Sequence, residues 1–306
     1  MNLSRRVFIK TGALGIAGSA LLKESLFAGV AGKELVGLQL YSVREAMKTD
    51  AAGTLKKLAD GGYRYIEHAG YANGKFYGYT PGEFKKLMAD LGLKMPSGHS
   101  RMSLSDWDST KNDFTDVWKR TIADSAEVGQ HFVLNPWLDE NLRTDPEALK
   151  RLMQQFNKSG ELCKTYGMKF GYHNHNFEFI TPMGNGNLYD FIIQNTDPAL
   201  VAQQMDFGNM IGAGAQPVDY LKKYPGRFEL LHVKDEIKSD GKGDLGDGYD
   251  STILGDGIMP MQEILTLARK IGGTTHFMIE QESYQGKDPV DCVKKDLQIM
   301  KKWGYV

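Results

Sequence analysis

Two histidines stand two residues apart in Tyr172-His173-Asn174-His175, and Glu178 follows three residues later. Imidazole and carboxylate are the side chains that bind divalent metals and move protons near neutral pH. Three later stretches share the design: Gln204-Met205-Asp206, Leu230-Leu231-His232 and Phe277-Met278-Ile279-Glu280. Each is an apolar run that stops on a metal-ligand type. One Asp, one His and one Glu make a mixed oxygen/nitrogen set that suits Mn²⁺, Zn²⁺, Co²⁺, Fe²⁺ or Mg²⁺. Buried charges of this kind are costly unless paired or metal-bound. Residues two apart on a strand point the same way, so one of His173 and His175 can bind metal while the other acts on substrate.

Such residues need a rigid frame, and the rest of the chain supplies a repeating one. Short apolar runs read as strands at 35–40, 63–67, 93–97, 131–134, 168–172, 201–205, 228–233 and 276–279. Between them lie stretches with helical spacing and helix signals. Thr80-Pro81-Gly82-Glu83 carries a cap, an N1 proline and a glutamate three on from the cap. Asp145-Pro146 and Asp288-Pro289 open two more helices. Continuous apolar strands alternating with helices predict a parallel sheet buried on both faces. Eight such units in about 270 residues match a closed (β/α)8 barrel in one domain. No G-x-G-x-x-G follows strand one, which argues against a dinucleotide fold. The 24-residue polar loop 234–257 is longer than an ordinary βα loop, as functional loops often are.

In such a barrel chemistry collects at the C-terminal ends of the strands. His68, His99, His173, His175 and His232 all fall there, and only His131 and His276 fall at strand starts. Glu67, Asp206, Glu280 and Glu282 share that end.

Composition narrows the partners. The 306 residues carry a formal charge of −1, with no long block of like charge. The N-terminus reads Ser4-Arg5-Arg6-Val7-Phe8-Ile9-Lys10, followed by a short Gly/Ala-softened apolar run. Paired arginines before such a run resemble a twin-arginine export signal. Residues 1–31 are therefore expected to leave through the Tat translocase and be cleaved near Gly32, with 32–306 mature in the periplasm or outside the cell. Removal would take the balance from 37 − 38 to 33 − 37, or −4. That charge argues against nucleic acid, and no stable membrane anchor would remain after cleavage. Cys163 and Cys292 form no metal motif and read as free buried thiols.

The local motifs carry a resemblance. Leu38-Gln39-Leu40-Tyr41-Ser42-Val43-Arg44, Tyr172-His173-Asn174-His175, Met205-Asp206-Phe207-Gly208-Asn209, Leu231-His232-Val233-Lys234-Asp235, Gly255-Asp256-Gly257 and Ile279-Glu280-Gln281-Glu282 resemble the sugar phosphate isomerase/epimerase family of xylose isomerase-like TIM barrels. The resemblance implies a divalent metal, Mn²⁺ or Zn²⁺ foremost, on one ligand from each of strands five to eight. Here that gives His173, Asp206, His232 and Glu280, with His175 or a folded-back Glu178 as the other choices on strand five. Strand five departs, with His173 where many epimerases carry a glutamate that is also an acid/base. Asn209 stands where relatives often have a histidine, which argues against a two-metal, endonuclease-like site.

The chemistry expected is proton removal beside a carbonyl that the metal polarises, through an enediolate. Glu67, His99, His175 and Glu280 are the acid/base candidates. Tyr41, Arg44, Lys234 and Glu282 are the candidates for holding a small sugar. Returning the proton elsewhere gives isomerisation or epimerisation, and expelling a β-substituent gives a lyase. A non-catalytic sugar-binding barrel is the third reading. Export and the lack of a Gly-rich phosphate loop favour an unphosphorylated sugar, keto-sugar or glycoside.

Overall fold

The computed structural model describes residues 34–305; the export-signal reading lies outside them. From Glu34 onward the chain forms one compact unit. Eight parallel strands close into a barrel: β1 Leu35–Gln39, β2 Tyr65–His68, β3 Lys94–His99, β4 Phe132–Asn135, β5 Lys169–His173, β6 Val201–Asp206, β7 Leu230–Val233 and β8 His276–Ile279. Each pairs with its neighbours in chain order, and β1 closes on β8 from Leu35↔His276 to Leu38↔Ile279. This is the (β/α)8 TIM barrel the alternation predicts.

The helices start where local chemistry dictates. Thr80 and Glu83 form the reciprocal capping box of helix Pro81–Asp90. The Asp145 carboxylate accepts from the Glu147 and Ala148 amides to open Pro146–Thr165. Asp288 does the same for Val290 and Asp291 at Pro289–Lys302. The long helix Pro146–Thr165 buries Leu149, Leu152, Phe156, Gly160 and Cys163. A Cβ on Gly160 would come within 2.6 Å of the Leu200 carbonyl, so this helix lies close on the chain entering β6. Both cysteines are free and buried.

The strands alternate sides with period two, and that alternation builds the site. Phe132, Leu134, Ala202 and Leu230 form a small apolar cluster separate from the main core. Two residues on from Ala202 comes Gln204, then Asp206; two on from Leu230 comes His232, then Lys234. Likewise His173 leads to His175, and Glu280 to Glu282. The same face of each strand passes from apolar floor to ionisable rim.

Antiparallel hairpins rise from the loops after β2, β3, β5 and β7: Tyr71–Ala72 with Lys75–Phe76, Trp107–Asp108 with Asp113–Phe114, Pro182–Met183 with Gly186–Asn187, and Asp235–Lys238 with Tyr249–Thr252. The last lies in the long loop, which is thus a built element. Its base is clamped by Asp235, whose carboxylate accepts from the amides of Glu236, Gly255, Gly257 and Met259. A Cβ on Gly257 would meet Asp235 Oδ1 at 2.2 Å, which explains the glycine in that motif. Phe114 belongs to the second hairpin, and the helix that follows begins at Asp116. Among the described residues no helix is long and apolar enough to cross a membrane.

Candidate active site and metal centre

A cavity of about 450 Å³ opens at the C-terminal ends of the strands. Tyr41, His99, His173, His175, Glu280 and Glu282 line it, so the structure brings together candidates from four separate strand ends. Its volume lies in the range of small-molecule sites, about 300–1,000 Å³.

Beneath the cavity lies a network centred on Glu67, which is fully buried and does not line the opening. Its carboxylate accepts from Gln39 Nε2 at 2.8 Å, from the Ser97 hydroxyl, and from Gln204 Nε2 at 2.8 and 3.1 Å. His232 Nε2 lies 2.6 Å away and His99 Nε2 3.2 Å. Burial alone would raise Glu67, yet the facing His232 holds it well below the usual range. Glu67 therefore positions its neighbours, in place of the direct acid/base role expected of it.

Gln204 was missed in the sequence, and it fixes two tautomers. Its amide NH₂ faces the Glu67 carboxylate, so its oxygen must accept. That oxygen lies 2.8 Å from His99 Nε2 and 3.1 Å from His173 Nδ1. Both nitrogens carry hydrogens in this arrangement, leaving lone pairs on His99 Nδ1 and His173 Nε2. Burial and the nearby His232 push His173 well below its usual value, so its imidazole is neutral. His175 is lowered to about 3 by burial and by Lys234, and its buried Nδ1 has no hydrogen-bond partner. Trp137 packs edge-on to His175 with ring centroids 5.0 Å apart.

Asp206, His232 and Glu280 present ligand atoms within 4.8 Å of one another, all buried. His173 falls in a second group with His99 and His232. The structure thus brings together three of the four expected ligands and places the strand-five histidine one step aside. Glu178 is turned away, accepting from the Tyr172 hydroxyl and from the His175 amide.

Lys234 joins the three-residue group from above. It is 1 % exposed, with Nζ 3.0 Å from Asp206, 2.9 Å from Glu280, 2.6 Å from Glu282 and 2.9 Å from the Asn209 side-chain oxygen. Burial opposes its charge, but Asp206, Glu280 and Glu282 raise it well above an ordinary lysine. His232 is raised in the same way by Glu280 and Glu67 against burial. Glu280, against burial, is lowered to about 2 by Lys234 and His232. Arg44 donates to the carbonyls of Tyr41 and Glu282 and so ties the β1 rim to the β8 rim.

The residues fit a divalent cation. With His232 neutral, as a ligand must be, the buried carboxylates of Glu67, Asp206 and Glu280 stand against a single cation, Lys234, which leaves two negative charges over (3 − 1). Asp206 Oδ2 is buried and receives no hydrogen bond, although Lys234 Nζ is 3.0 Å away. A buried surplus of this kind is stabilised by a bound dication. Asp206, His232 and Glu280 would hold it, with a neutral His173 or His175 beside them.

Glu178 yields a prediction on stability. Burial pushes its carboxyl up to about 7, against the Tyr172 hydroxyl and the His175 amide. A raised carboxyl favours the protonated form in the fold. Its contribution is full below the ordinary glutamate value and is lost as pH rises through about 7, with a slope of at most about 1.4 kcal/mol per pH unit. Glu178→Gln should flatten that slope between pH 5 and 8 in urea titrations; an unaltered slope would refute the assignment.

Comparison with known proteins places this geometry. A family model described as xylose isomerase-like TIM barrel matches residues 55–303. A sugar phosphate isomerase/epimerase from Parabacteroides distasonis is 28% identical with a TM-score of 0.72, over 89% of this chain and 99% of that one. The IOLI protein with a binding zinc atom shares the fold at 12% identity and a TM-score of 0.66, over 88% and 97% of the two chains. An inosose dehydratase from Clostridium botulinum is 28% identical over 54% of this chain and 58% of that protein. The chain thus spans little more than half the length of that curated relative. With most of its barrel matched by the family's model, the chain belongs to the xylose isomerase-like TIM barrel family of enzymes.

Proposed function

We propose that this protein is a divalent-metal-dependent lyase that removes the proton beside the carbonyl of a keto-sugar and expels the β-oxygen substituent. The observation that carries it is the end of β5. A two-carboxylate epimerase needs an acid/base on each face of the carbon, and here β5 offers imidazole while Glu178 is engaged elsewhere. The likeness to inosose dehydratase supports an elimination. The zinc of the IOLI protein supports a divalent metal, with Mn²⁺ and Zn²⁺ the leading choices.

When bound, the metal supplies charge that draws electron density from the substrate carbonyl. The chain's own residues do the rest. His99, whose Nε2 is held by Gln204 and Glu67, offers its Nδ1 lone pair as the base for the carbon-bound proton. Glu280 and Glu282 line the cavity and are held from behind by the buried Lys234 ammonium, which keeps both carboxylates in place against the substrate. His175 donates to the leaving oxygen. Tyr41 and Trp137 wall the space that receives the ring, and Arg44 stands behind Tyr41.

Isomerisation or epimerisation is the second reading, favoured by the likeness to the Parabacteroides distasonis protein. The test is incubation of metal-loaded protein with keto-sugars in D₂O. Loss of water or an alcohol supports the lyase, and deuterium at carbon without loss of a group supports the isomerase. Neither exchange nor loss, with metal bound, leaves a non-catalytic sugar-binding barrel. We also propose export of residues 32–306 to the periplasm on the Arg5-Arg6 run; N-terminal sequencing of the periplasmic fraction tests it.

A further inference from the structure

A second cavity of about 720 Å³ lies beside the first and shares Tyr41, Ala69 and Tyr71 with it. We propose that it is a subsite for a second sugar ring, so that the substrate is a keto-glycoside and the ring in this groove is the leaving group. This rests on the reading above and names its substrate class.

The groove runs between the short helix Arg44–Thr49 and the hairpin Tyr71–Ala72/Lys75–Phe76. Its walls alternate flat and polar groups: Tyr41, Tyr71 and Tyr77 among Arg44, Lys48 and Lys75. Flat rings with interleaved donors suit a pyranose, which has apolar C–H faces and a rim of hydroxyls. An alkyl chain would leave those donors unmatched.

The walls are held in shape. Tyr41 is 43% exposed, yet the Arg44 guanidinium lies 4.5 Å from its ring centroid and is fixed by the Tyr41 and Glu282 carbonyls. Tyr77 keeps a left-handed backbone with φ of 50°, a strained state for a bulky residue. Its hydroxyl accepts from the Ala69 amide at 3.0 Å, and its ring fills the space where a Gly70 Cβ would stand. That strain sets the hairpin at the passage between the two cavities.

Catalysis in the inner cavity then needs no further reagent. The base takes the proton beside the carbonyl, and that C–H pair becomes a carbon–carbon double bond. The bond from the next carbon to the bridging oxygen breaks, and that oxygen takes a proton and departs with the outer ring as an alcohol. The products are an unsaturated keto-sugar and a free sugar, with no change in overall oxidation state.

The experiment is isothermal titration of the Mn²⁺-loaded chain with glucose, cellobiose, maltose and phenyl β-glucoside. At least one disaccharide should bind roughly tenfold more tightly than glucose. Ala72→Trp and Lys48→Trp, which fill the groove from opposite walls, should each bring that disaccharide down to the affinity of glucose. Disaccharides no tighter than glucose, or an advantage that survives both tryptophans, would overturn the subsite alone. Phenyl β-glucoside taking the whole gain would overturn the choice of a sugar ring. No binding by any of the four, with metal held, overturns the sugar reading and the subsite with it.

Discussion

Asp206→Asn should strip the divalent metal from this protein and lower its activity about 10²–10³-fold while the barrel stays folded. The change is nearly isosteric, and its effect follows from one oxygen. Asp206 Oδ1 accepts from the Asn209 amide at 2.9 Å, a contact the asparagine oxygen can keep. Oδ2 is the buried atom without a hydrogen bond, 3.0 Å from Lys234 Nζ and 3.6 Å from His232 Nδ1. Replacing it with NH₂ removes a ligand and sets a donor against an ammonium. The centre also loses one of the negative charges that draw a cation in. Elemental analysis after purification without chelator reads the metal, melting by circular dichroism reads the fold, and product release from a keto-sugar reads activity. An asparagine variant with full metal content would remove Asp206 from the ligand set.

Much of this was legible in the chain. The strand-end positions of His99, His173, His232 and Glu280 could be read because a strand's period of two and an apolar run locate its end. The hairpins were harder. Trp107–Asp108 and Asp113–Phe114 are too short to show a period. Side-chain direction was beyond the sequence. Glu67 and Glu280 look alike at strand ends, yet Glu67 is surrounded by donors from Gln39, Ser97 and Gln204. Those partners come from three strands, so no local spacing announces them. Gln204 has a signal in retrospect. It lies two before Asp206, and period two puts an amide on the same inward face as a ligand, where it must hydrogen-bond to something.

Lys234→Met is the larger test of how the centre is held together. Its stem passes so close to Gly208 that a Cβ there would meet Lys234 Cδ at 2.7 Å, so an unbranched side chain of similar length fits the channel. What is lost is the ammonium between Asp206, Glu280 and Glu282. Removing one partner from a buried charge network typically costs about 3–5 kcal/mol. At roughly 2–4 °C per kcal/mol for a chain somewhat smaller than this one, the metal-free variant should melt about 10 °C lower. The pH dependence should also change sign. In the natural protein Glu280 is lowered to about 2, so its contribution is present above the ordinary glutamate value and is lost as pH falls toward 2. Without Lys234, burial is no longer offset by the ammonium and the cluster's carboxyls rise. Their stability contribution then grows as pH falls from 7 to 5. A divalent ion entering the same carboxylates restores a cation, so Mn²⁺ should raise the melting temperature of the variant more than that of the natural protein. Melting curves at pH 7 and 5, with chelator and with Mn²⁺, contain the whole comparison. A variant that melts with the natural protein in all four would mean that Lys234 does not hold these carboxylates together.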